Sequence, residues 1–97
     1  MTKAFKLTFE ANGRRAEVSG QTARALLALI EAGSQGVTAL EVSTWAYRFA
    51  AYCHDLRKKH GMDIQTIHEK HPGGWHGRHI LHTPVRILLV EAMERAG

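Results

Sequence analysis

The stretch from Ser43 to Gly61, STWAYRFAAYCHDLRKKHG, holds the densest set of side chains able to bind a polyanion. Tyr47, Ala51, His54 and Lys58 recur at spacings of four, three and four, with Arg48, Asp55 and Arg57 at the margins. At 100° per residue these positions share one side of an α-helix. Trp45, Phe49, Tyr52, Cys53 and Leu56 occupy the opposite, apolar side. Arginine and lysine on such a face offer charge-assisted donors to phosphate and base edges, and Ala51 leaves room for close approach. The same pattern also describes a solvated outer face that only keeps a domain soluble. What flanks the helix must separate the two readings.

Other candidate chemistry is weaker. His68, His71, His76, His79 and His82 cluster in sequence, and three or four convergent imidazoles would suit zinc. Pairs three apart, such as His76 and His79, point to opposite faces of a regular strand, so no metal is expected. Cys53 and His54 are adjacent, but neighbours on a helix diverge and cannot share a proton. Cys53 also falls on the apolar stripe, where an inert thiol is expected. No P-loop, G-x-S-x-G or H-E-x-x-H motif is present. Neither an enzyme nor a cofactor is expected.

Composition sets the wider bounds. Ninety-seven residues suit a single domain, 1–97, and 44% hydrophobic with 23% charged residues is a globular balance, against disorder. No apolar run approaches the length that spans a bilayer, so no membrane partner is expected. The N-terminal residues lack a signal-peptide core, and the lone Cys53 fits a reducing compartment. These points together predict a cytoplasmic protein. A net charge of +4 favours a polyanionic partner without choosing between nucleic acids and acidic proteins.

Several elements must position the basic helix. Phe5, Leu7 and Phe9 alternate with polar residues, Asn12-Gly13 is a hairpin turn signal, and Ala16 and Val18 continue the alternation. Arg14-Arg15 after the turn could touch phosphate or simply be solvated. Residues 20–33 read as a helix with Ala23, Leu26, Leu27 and Ile30 inward, Leu29 widening the stripe, and Gly33 as terminator. Thr38 and Glu41 fit a capping box, which predicts a short helix over 39–42 with Leu40 inward. The long helix follows over 44–60. Residues 62–69 and 75–82 then read as strands on either side of the breaker His71-Pro72-Gly73-Gly74. Strict alternation cannot bury both Ile64 and Ile67, so a twist or bulge is expected there. Thr83-Pro84 predicts a helix start, and Val85, Leu88, Leu89, Ala92 and Met93 make the apolar stripe of a closing helix. Ile87 and Val90 fall off that stripe, either packed under the N-terminal hairpin or forming a patch for a homodimer or protein partner.

The order helix, short capped helix, long basic helix and β-hairpin resembles the winged helix-turn-helix superfamily. The run Tyr52-Cys53-His54-Asp55-Leu56-Arg57-Lys58-Lys59-His60-Gly61-Met62-Asp63-Ile64 is similar to the DLRK-x-G-x-x-I run of small bacterial and phage helix-turn-helix variant domains. Ile64-Gln65-Thr66-Ile67 resembles the strand that enters the wing of response-regulator winged helices, although the following G-x-G-Y element is replaced by the longer His71–Gly77 segment. The resemblance, which runs from residue 20 onward, implies an α+β fold. Its parts would be an N-terminal β-hairpin, a three-helix core, a β-hairpin wing over 62–82 and a C-terminal helix. It further implies a double-stranded DNA-binding protein, a transcriptional regulator, whose Thr44, Tyr47, Arg48, Ala51, His54 and Lys58 face the major groove. Arg57, Lys58 and Lys59 would then meet phosphate, and Lys70, His71, His76 and Arg78 would surround the wing tip. Winged helices also serve as protein-interaction modules, and an adaptor with an acidic partner is the alternative.

Overall fold

The computed structural model describes residues 3–43, 45–46 and 48–94. Two three-stranded antiparallel sheets flank two helices. Strands β1 (Lys3–Ala11) and β2 (Arg14–Ser19) form the expected hairpin. Asn12 and Gly13 both take positive φ, 54° and 74°, the geometry of a turn whose twist matches its strands. Leu7 and Phe9 are fully buried beneath helix α1 (Gly20–Ala32). That helix buries Ala23, Ala25, Leu26 and Leu29, while Leu27 and Ile30 are only half-buried. Its most buried line therefore runs through Leu29 rather than beside it, because both the sheet and the second helix press on it. Gly33, at φ 56°, ends the helix as predicted and leads into a 3₁₀ turn, Gly33–Gln35.

The short helix expected over 39–42 is absent. Thr38 and Glu41 do form the reciprocal capping box: the Thr38 amide donates to Glu41 Oε1 at 2.8 Å, and the Glu41 amide to Thr38 Oγ1 at 3.3 Å. However, Val37–Thr38 is already committed as strand β3, paired with His79 and Arg78. The chain beyond it proceeds through successive turns, with Val42 and Ala46 buried and Leu40 80% exposed, the reverse of the expected inward placement. The described helix α2 accordingly begins at Phe49 and runs to His60, burying Phe49, Cys53 and Leu56. Gly61 in the left-handed conformation closes it, with its amide on the Arg57 carbonyl at 3.1 Å.

Strands β4 (Ile64–His71) and β5 (Gly74–Leu81) form a regular hairpin, and β3 joins its other edge. The pairing is free of register shifts, so no bulge reconciles Ile64 with Ile67. Alternation simply wins: Ile64 is 5% exposed and Ile67 37%. The turn places Pro72 first and Gly73, at φ 92°, second, which is type II chemistry.

The closing helix is also absent. Residues Val85–Glu94 form strand β6, antiparallel to β1, giving the sheet order β2-β1-β6. Thr83 does not cap a helix, because its hydroxyl accepts the Asp63 amide at 2.7 Å. Ile87, off the helical stripe, packs against the core as a strand residue. Val85 and Ile87 face the core side with Arg86 between them, which is period two. Thus the α+β class holds, with two α-helices among the described residues in place of the three-helix core and a strand in place of the C-terminal helix.

Candidate nucleic-acid interface

The outer face of α2 is open along its length. Arg48, at its N-cap, and His54, Lys58 and Lys59 are exposed, while Ala51 is half-buried. None of Arg48, Lys58 and Lys59 enters an ion pair among the described residues. Thr44 and Tyr47, the remaining residues expected on this face, lie outside the described residues.

Arg57 is different. Its Nε and Nη2 both donate to the Ile64 carbonyl, at 2.9 and 2.7 Å, and Nη2 also donates to Thr66 Oγ1 at 2.9 Å. The guanidinium thus joins the last turn of the helix to the first strand of the wing. Thr66 carries the link onward, lying 3.0 Å from Nδ1 of the buried His79, whose ring lies 5.5 Å from that of Phe49. Thr66 Oγ1, which accepts from Arg57, can donate to His79 Nδ1 or accept from it, according to the tautomer of the ring. Desolvation first, and the Arg57 charge second, hold the His79 pKa below its ordinary 6.5. Desolvation also lowers that of His60, with Lys59 adding to the effect.

The sign follows from proton uptake: below about pH 6.5 the unfolded chain binds protons that folded His79 and His60 refuse. Their contribution is fully present above pH 6.5 and is lost as pH falls through the lowered folded values. Urea unfolding at neutral and mildly acid pH should show that loss, and His79→Gln should flatten it. The Cys53 thiol is inert for a related reason, burial pushing its pKa up to about 12.

The wing residues divide between two faces. Cross-strand pairing aligns Lys70 with Trp75, His68 with Gly77 and Thr66 with His79, so these share the face that meets α2 at its base. Trp75 is 62% exposed and its ring lies 4.5 Å from that of His68, lining with Lys70 an open cavity of about 380 Å³. His71, His76 and Arg78 belong to the opposite face with Glu69. There Arg78 Nε and His76 Nε2 bind the two oxygens of Glu69, at 2.9 and 2.8 Å. Arg78 Nη1 also donates to the Gln35 carbonyl at 3.1 Å and lies 3.5 Å from Glu41. The Arg78 guanidinium, and secondarily His76, hold the Glu69 carboxyl below its ordinary range. Among the described residues no three histidine, cysteine or acidic side chains converge in a metal-holding group.

One basic cluster emerges only in three dimensions. Asn12 Nδ2 donates to the Gly61 carbonyl at 3.3 Å, docking the first hairpin turn on the end of α2. Arg14 and Arg15 thereby meet Lys58, Lys59 and His60 around a cleft of about 650 Å³. No helix among the described residues is long and apolar enough to cross a membrane.

No curated protein and no solved structure gives a significant match to the chain. A family model described as "Winged helix domain" matches residues 15–91, from the second strand through most of the last. That span holds both helices and the complete wing, and on this evidence the chain belongs to the winged helix domain family.

Proposed function

We propose that the protein binds double-stranded DNA and regulates transcription. In this reading the outer face of α2 lies in the major groove, and the Lys70–Trp75 face of the wing lies along the backbone or an adjacent groove. Family membership supports DNA binding in general. The observation that carries the finer reading is a division among the cations. Arg57 and Arg78, at the base of the wing, are bound to the protein itself. Arg48, Lys58 and Lys59 on α2 and Lys70 on the wing are exposed and outside the ion pairs of the described residues. Arg48 can approach a guanine edge, whereas Lys58 and Lys59 at the helix end suit phosphate. Arg14 and Arg15 extend the same cationic surface past the helix end.

The test is a fluorescent-duplex titration over a range of salt. Binding through these cations gives a log–log slope near −0.9 for each phosphate neutralised. Lys58→Ala should shallow that slope by about 1 whatever the sequence, and Arg48→Ala should cost about 1–3 kcal/mol on the preferred site only. A duplex affinity that is negligible at low salt would refute the proposal and leave an acidic protein as the partner of this face.

A further inference from the structure

The open edges of the two sheets are unlike one another. β2 carries Arg14, Arg15 and Glu17 in six residues, β3 is two residues long, and β4 is mostly polar beyond Ile64. Charge and brevity are what keep sheet edges from pairing with other chains. β6 is long, and its charges, Arg86, Glu91 and Glu94, leave its middle bare. It is ten residues long, pairs on one side only, and presents Ile87-Leu88-Leu89-Val90 without a charge, Leu89 being 51% and Val90 46% exposed.

Its register holds a second feature. The ladder with β1 shifts between Thr8 and Phe9: Thr8 faces Leu89, whereas Phe9 faces Ile87, so Leu88 is an extra residue. Residues five apart in a regular strand lie on opposite faces. The bulge cancels that rule. Arg86 and Glu91 both lie on the Glu10–Lys6 face, and Ile87 and Val90 both lie on the Phe9–Leu7 face. In an antiparallel twofold pair, residues opposite one another must share a face. Centred between Leu88 and Leu89, such a pair sets Arg86 against Glu91 of the second copy, Ile87 against Val90 and Leu88 against Leu89. Each contact occurs twice by symmetry, and every one is complementary.

We propose that the occupant of this edge is a second copy of the same chain, with β6 pairing on β6 to make a continuous six-stranded sheet. The arrangement is isologous and closed, so it ends at the dimer. It rests on the register of β6 and not on the DNA-binding reading.

Sedimentation equilibrium of the full chain, with the duplex omitted, tests it. The chain is expected to be dimeric at micromolar concentration. Arg86→Glu or Glu91→Arg alone sets like charges opposite each other twice and should weaken the dimer roughly tenfold or more. The double exchange, Arg86→Glu with Glu91→Arg, should restore it. Within one chain the same exchange places like charges beside Glu10 and Lys6, so a purely intrachain effect would be worst in the double variant. Far-UV circular dichroism checks that each variant folds. A monomeric chain at all concentrations, or a double variant no better than the single ones, overturns the proposal.

Discussion

Gly36→Ala should destabilise the domain by about 3 kcal/mol or more, a loss visible as a large drop in the urea midpoint at nearly constant m-value. Gly36 is buried and sits at φ 70°, a conformation that an L side chain rarely adopts. A Cβ there would stand 2.7 Å from the His79 carbonyl oxygen and 2.7 Å from Ile80 Cγ1. The first neighbour is backbone of β5, paired on both sides, and cannot yield cheaply. Gly33→Ala is the matched control. Its φ of 56° is equally left-handed, but a Cβ would meet nothing within 4 Å. It should cost less, about 1–3 kcal/mol, the conformational part alone. Equal losses at the two glycines would show that the close approach of the 3₁₀ turn to the wing contributes nothing.

The second large effect concerns Arg57. Replacing it by alanine removes the donors to Ile64 and Thr66 and leaves a buried carbonyl short of a partner, a loss of about 2–4 kcal/mol. Arg57→Lys should recover only part of this, since an ammonium cannot reproduce the two-pronged contact. The same variant separates two roles for the residue. An arginine that neutralises phosphate lowers the salt slope when removed. One that fixes the wing against α2 lowers duplex affinity with the slope unaltered, and this is the outcome expected. A slope reduced by about 1 would return Arg57 to the DNA backbone.

Much of the scaffold was legible because its signals are local. Asn12-Gly13 fixes a turn, Gly33 and Gly61 end helices, and Pro72-Gly73 turns the wing. Each acts through the conformational limits of one or two residues. The closing segment was not legible for the opposite reason. Val85, Leu88, Leu89 and Ala92 satisfy a helical period, while Val85, Ile87 and, past the bulge, Val90 satisfy a strand. What decides between them is β1, some eighty residues away, offering an unpaired edge. The capping box shows a milder case: Thr38 and Glu41 make the predicted contacts, yet β5 claims Val37 and Thr38 and no helix follows. At the interface the open face of α2 was readable from spacing. The fates of Arg57, His76 and Arg78 were not, because their partners are carbonyls and a carboxylate brought in by the wing pairing. Which wing face accompanies α2 was hidden too, and with it the exposed pair His68 and Trp75.

The pairing of Lys3 with Glu94 has a bearing on the order in which the molecule folds. The central strand of the first sheet and its second neighbour lie some eighty residues apart along the chain. Until that neighbour docks, β1 holds only the hairpin with β2, and the flank of Leu7 and Phe9 stays open to water. Closing so long a loop is entropically costly and slow relative to helix or hairpin formation. Completion of this sheet should therefore be the late step of refolding, after the helices and wing have formed.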